Sequence, residues 1–82
     1  MFVERWVRVF SVPKGTFVGE VQLGRFSLPD FQKQFGLEPD NAMHDSYPIE
    51  PRHAEFIQGY LQQKVDWDFE RHSYRLEADL SC

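Results

Sequence analysis

The stretch Lys64-Val65-Asp66-Trp67-Asp68-Phe69-Glu70-Arg71-His72-Ser73-Tyr74-Arg75-Leu76-Glu77-Ala78-Asp79-Leu80 decides how the fold is read. Val65, Trp67 and Phe69 alternate with Asp66 and Asp68; Tyr74, Leu76, Ala78 and Leu80 alternate with Arg75, Glu77 and Asp79. A period of two sends one set of side chains to the core face of a sheet and the other to water. Residues 70–73 are polar and few enough for a turn, although they lack the glycine of the tightest hairpins. The pattern predicts a β-hairpin with an apolar inner face. Its outer face would carry the carboxylates of Asp66, Asp68, Glu77 and Asp79, offset only in part by Arg71 and Arg75.

Working outward, residues 2–10 are rich in β-branched and aromatic side chains and read as a strand. Val3, Val7 and Val9 are assigned to its inner face, with Arg5 sharing their parity. Trp6 then lies among charges on the outer face, either in a second small cluster or as a binding anchor. Pro13-Lys14-Gly15-Thr16 is a turn signal. Residues 17–23 form a second strand, with Phe17, Val21 and Leu23 inward and Val18, Glu20 and Gln22 outward. Ser27-Leu28-Pro29-Asp30 opens a helix as a capping box, Phe31 and Phe35 extend its apolar stripe, and Gly36 stops it. A weak strand follows over residues 42–49, with Tyr47 and Ile49 inward and Pro48 suited to an edge. Pro51 opens a second helix whose buried stripe is Ala54, Ile57, Tyr60 and Leu61. The expected fold is α+β: a single small domain over residues 1–82, with an antiparallel sheet of four to five strands and two short helices packed on one face.

The 82 residues suffice for one domain. A domain of this size buries roughly 60–65% of the surface of its unfolded chain, so the core is modest. Eight Phe, three Tyr and two Trp fill a small core efficiently. The one cysteine, Cys82, excludes an intramolecular disulfide, and residues 1–10 have neither a signal-peptide core nor a membrane span. A cytoplasmic location is expected.

The net charge of −4 is unevenly spread. Residues 1–35 carry five basic side chains against three acidic; residues 36–82 carry four against ten. Phosphate binding needs a basic surface, so nucleic acid is not the expected ligand. A basic protein partner suits the acidic half, although acidic side chains also serve solubility alone. His44, His53 and His72 lie on separate segments without the spacing of a zinc site. No metal or cofactor is expected. His44-Asp45 has the form of a base with an orienting carboxylate, but no nucleophile accompanies it. There is no phosphate loop and no glycine-rich nucleotide fingerprint. The chain reads as a binding module and not as an enzyme.

Several short segments, in order, resemble the cloacin immunity protein family. They are Arg8-Val9-Phe10, Phe17-Val18-Gly19-Glu20, Phe35-Gly36, Asp40-Asn41, Ser46-Tyr47-Pro48-Ile49, Gln58-Gly59-Tyr60-Leu61, Val65-Asp66 and Tyr74. Ser46 stands where that family can carry a cysteine, and Ser81-Cys82 replaces its closing tail. The resemblance implies a small acidic protein that neutralises the basic nuclease domain of a bacteriocin or contact-dependent inhibition toxin. The expected contacts are Glu20, Gln22, His44, Asp45, Ser46, Asp66, Asp68, Glu70, Glu77 and Asp79. Asp66 and Asp68 would supply most of the electrostatic steering, and Ser46 with its neighbours the discrimination between toxins. A regulatory adaptor or oligomer subunit is the alternative, and a small hydrolase using His44 and Asp45 a more distant one.

Overall fold

The computed structural model describes residues 2–81; Cys82 lies outside the described residues. Strands β1 (Phe2–Ser11) and β2 (Phe17–Gln22) are followed by helix α1 (Leu28–Phe35) and strand β3 (Tyr47–Ile49). A 3-10 turn over Pro51–His53 leads into α2 (Ala54–Gln58), and β4 (His72–Ser81) follows. The strands form one antiparallel sheet in the order β2-β1-β4-β3. The expected α+β architecture, an antiparallel sheet of four to five strands with two short helices, is the observed one, with four strands.

β1 is the spine. It pairs with β2 from Trp6 to Phe10 and with β4 along its whole length, Phe2 opposite Ser81 and Ser11 opposite His72. The first hairpin turns where Pro13-Lys14-Gly15-Thr16 predicts. Gly15 adopts φ +72°, a left-handed backbone that a side chain disfavours. Val7, Val21 and Leu76 are register neighbours, and Val7 and Leu76 are fully buried. Both helices cover this face. Phe31 of α1 is fully buried, with its ring 4.5 Å from Phe26, 4.9 Å from Phe56 and 4.8 Å from Tyr60. Ile57 of α2 completes the layer. Such rings contribute both area and edge-to-face attraction, which suits a core with few residues.

Four local expectations are corrected. Residues 64–71 form no strand, so the C-terminal stretch is not a hairpin. β1 takes one edge of β4 along its whole length, and β3 takes the other at Tyr74–Leu76, the residues that the hairpin would have paired. The peptide groups of the incoming segment bond to side chains instead. Val65 N–H donates to Gln58 Oε1 (2.9 Å) and Asp68 N–H to Tyr74 Oη (2.9 Å), while Glu70 and Arg71 N–H both donate to Asp68 Oδ1. The alternation still marks what turns inward: Val65, Trp67 and Phe69 are half-buried, and the last two rings lie 4.8 and 5.0 Å from Tyr74.

Phe17 does not share the inner face with Val21. The register shifts between Val9 and Phe10, leaving Val18 extra, so Phe17 pairs with Phe10 and meets its ring at 5.8 Å. At α1, Ser27 makes no side-chain cap, and Asp30 accepts instead from the Tyr60 hydroxyl at 3.2 Å. Gly36, at φ 65°, does end this helix. The second helix stops at Gln58, short of Tyr60 and Leu61. Its entry is a reciprocal cap in which Glu50 N–H donates to His53 Nδ1 at 3.0 Å. His53 is buried and stacked on Phe35, 4.2 Å between ring centres. Burial, with the nearby Arg52, holds its imidazole below its ordinary pKa against the opposing pull of Glu50.

Candidate functional site

The sheet face away from the helices carries the even-numbered side chains of β1 and their cross-strand neighbours. Arg8 is at its centre. Its Nε donates to Glu20 Oε1 (2.9 Å), Nη1 to Glu77 Oε1 (3.2 Å) and Asp79 Oδ1 (2.9 Å), and Nη2 to Asp79 Oδ2 (2.6 Å). One guanidinium thus joins carboxylates from both neighbouring strands. Pairs to Asp79 are bidentate, the geometry that a planar fork favours. The hydrogen bonds that Arg8 donates to Asp79, Glu20 and Glu77 outweigh burial and raise its pKa above its already high ordinary value. The same contact lowers that of Asp79.

The rest of the face is tied in around this hub. The Arg8 guanidinium lies 5.6 Å from the Trp6 ring centre, and Trp6 is half-buried, outside the main core. Trp6 therefore packs on this face beside Arg8 and not in the core. Gln22 Nε2 donates to Glu4 Oε2 at 2.9 Å. Arg75 is the direct register partner of Arg8, a repulsive pairing for two cations. It turns away, donating to Ser46 Oγ (2.5 Å) and to the Ser46 carbonyl (3.1 Å), and Ser46 Oγ donates to Glu77 Oε2 (2.6 Å). Four carboxylates, Glu4, Glu20, Glu77 and Asp79, thereby stand on one face with two arginines, each side chain held by another. Side chains ordered in advance lose less entropy on forming a further contact.

Of the residues expected from sequence, the fold brings Glu20, Gln22, Ser46, Glu77 and Asp79 together here. His44 and Asp45 are exposed on the loop just before Ser46. Asp66, Asp68 and Glu70 belong to the irregular segment that packs over the helix side of the sheet, and they are not on this face. Asp68 spends one oxygen on its own turn and pairs with Arg71 at 3.8 Å. The expectation that Asp66 and Asp68 dominate a single acidic sheet face falls with the hairpin that carried it.

Sequence reasoning missed two arginines. Arg8 was legible in part, since it shares parity with Glu4, Trp6 and Phe10. Arg5 was not. It lies on the inner side, its guanidinium 4.1 Å from the Phe26 ring centre, and donates to the carbonyls of Met43 and Ala42. Burial lowers its pKa. It holds the loop that delivers Ser46. Met43 in that loop is fully buried and adopts φ +56°, with its N–H donating to Asn41 Oδ1 at 2.8 Å. Asparagine-capped turns of this kind stabilise a conformation that a non-glycine residue otherwise avoids.

A cavity of about 250 Å³ lies elsewhere, lined by Gly24, Arg25, Gly59, Tyr60, Leu61 and Gln62. It holds neither His44 nor Asp45. Among the described residues, no group of three or more His, Cys, Asp and Glu is placed to hold a metal ion, and no helix is long and apolar enough to cross a membrane.

Compared with known proteins, residues 4–77 match the family described as Domain of unknown function (DUF7683). No curated protein matches the chain.

Proposed function

The chain belongs to the DUF7683 family, and from that premise we propose that it is a non-catalytic immunity protein of the bacterial cytoplasm. It captures the basic nuclease domain of a toxin on the outer face of its sheet. The observation that carries this reading is the arrangement around Arg8: Glu20, Glu77 and Asp79 fixed on rigid strands, with Glu4 beside them. The resemblance of the chain to cloacin immunity proteins supports the class of partner. A nuclease must be basic to hold RNA or DNA, so its surface complements this face.

The physics of capture fits the geometry. Exposed charges act over a Debye length of about 8 Å at physiological salt. Steering of opposite charges raises association to about 10⁸–10⁹ M⁻¹s⁻¹. Affinity then comes from a few desolvated anchors, for which Trp6, Phe10 and Phe17 on the same side are available. The loop with His44, Asp45 and Ser46 borders the face and supplies contacts that differ between partners.

The test is co-expression with the product of the gene immediately upstream. Rescue of growth together with a co-purified pair is the expected result. Within that pair, Glu4→Lys with Glu20→Lys slows association at low salt and flattens its salt dependence. Asp66→Lys with Asp68→Lys, on the other layer, has the smaller effect. Failure to protect, or equal effects of the two double variants, rejects the assignment.

A further inference from the structure

β2 ends the sheet on one side, and its outward edge has a defined phase. Leu23 N–H donates to the Arg5 carbonyl at 2.9 Å. In an antiparallel ladder bonded and non-bonded pairs alternate, so Val21 and Gly19 bond Val7 and Val9 of β1 in turn. Glu20 and Gln22, between them, direct their N–H and C=O groups away from β1. Gly24 continues that phase, and there the outward N–H is met: it donates to the Tyr60 carbonyl at 2.9 Å, beside an antiparallel bridge between Leu23 and Leu61. The chain therefore lays down one residue of a fifth strand and leaves. Gln62 turns off across Gly24, its Cγ 2.7 Å from where a Cβ would stand, and the Gln63 carbonyl accepts from Gln58 Nε2. Among the described residues, no strand continues that lane beside Glu20 and Gln22.

We propose that this edge takes an extended segment of the basic partner, laid antiparallel to β2 in the lane that Leu61 begins. The inference rests on the docking reading above and adds how the partner is held. Strand addition satisfies the open peptide groups, and alternate side chains set specificity. On the outer side the added strand meets the partly exposed Glu20 carboxylate and the Gln22–Glu4 pair. On the helix side it meets Gly19 and Val21. The segment that fits has Lys or Arg at every second position and aliphatic residues between. A second copy of this chain fits less well, because it brings Glu20 and another acidic outer face, each chain at net −4, against their own kind.

The experiment uses the full, ¹⁵N-labelled chain and a short synthetic peptide alternating lysine with valine. A control peptide has the same residues segregated into blocks. The expected result is loss of free solvent exchange at the Glu20 and Gln22 amides with the alternating peptide only, and no change at Gly19 and Val21, which already bond β1. Gln22→Pro removes one outward donor while keeping all the carboxylates, and abolishes the protection at Glu20. Shifts confined to the Arg8 and Trp6 side chains, with Glu20 and Gln22 still exchanging, overturn strand addition while the docking face stands. No response at edge or face rejects both. Protection without peptide that rises with protein concentration, with a dimer in sedimentation, assigns the edge to a second copy and overturns the proposal.

Discussion

Arg5 and Arg8 sit three residues apart on one strand, and the sheet uses them in opposite ways. Arg5 points toward the helices, is half-buried, stacks on Phe26 and holds two loop carbonyls. Arg8 points away, keeps solvent contact and gathers three carboxylates. Burial lowers the first pKa; ion pairing raises the second. A half-buried cation bonded to carbonyls is a structural fixture whose removal leaves those acceptors without their partner. A cation whose ion pairs mostly face solvent shapes a field more than it stabilises a fold.

The contrast predicts a ranking. Arg5→Met should cost about 1.5–3 kcal/mol, the usual range for hydrogen bonds from a charged group. Urea denaturation measures it, and faster exchange of the Met43 amide shows that the loop has come loose. A neutral result would mean that Arg5 is an ion the core does not need, and the distinction between the two arginines would disappear.

Acid should separate the two layers next. His53, on the helix side, has a folded pKa held below its ordinary 6.5. The unfolded chain then takes up the proton first, so this contribution is complete above pH 6.5 and is lost as the pH falls through that value toward the folded pKa. Asp79, on the outer face, has its pKa lowered from 3.8, so what it contributes is present above pH 3.8 and lost only below it. Denaturation midpoints measured from pH 7.5 to 5 should therefore decline in the wild type, and His53→Gln should flatten the decline. An equal slope in the variant would place the titrating group elsewhere.

Arg8→Gln should have the smallest effect on stability, below about 1 kcal/mol, because its pairs are solvent-facing. The difference from wild type should shrink further in high salt. Binding should move the other way: removing the central cation leaves the outer face more negative and speeds association with a cationic partner.

These two arginines also show what the sequence makes legible. Alternation in residues 2–10 and 74–80, the turn at Pro13–Thr16 and the stop at Gly36 define the layers, because each is a local preference that the fold obeys. Residues 65–69 carry the same alternation and form no strand. Periodicity reports which side chains face inward, whereas a ladder also needs a free edge, and at Tyr74–Leu76, where the hairpin would have paired, β3 already holds the edge of β4. Phe17 changed sides through a one-residue bulge, which a period of two cannot encode. Of the site, Glu20, Gln22, Glu77 and Asp79 follow from parity alone. Ser46 depends on a loop fixed from below by Arg5, a contact between distant residues that no local pattern announces.

The seam between β1 and β4 joins opposite ends of the described chain, with Phe2 the register partner of Ser81. Closing that seam costs the entropy of a loop almost as long as the domain. During synthesis the first hairpin precedes β4 by about fifty residues, and its β1 side stays unpaired until β4 has left the ribosome. Until then the nascent chain exposes Val7 and a bare strand margin to any neighbour. A chain truncated before β4 should therefore aggregate instead of forming a smaller domain.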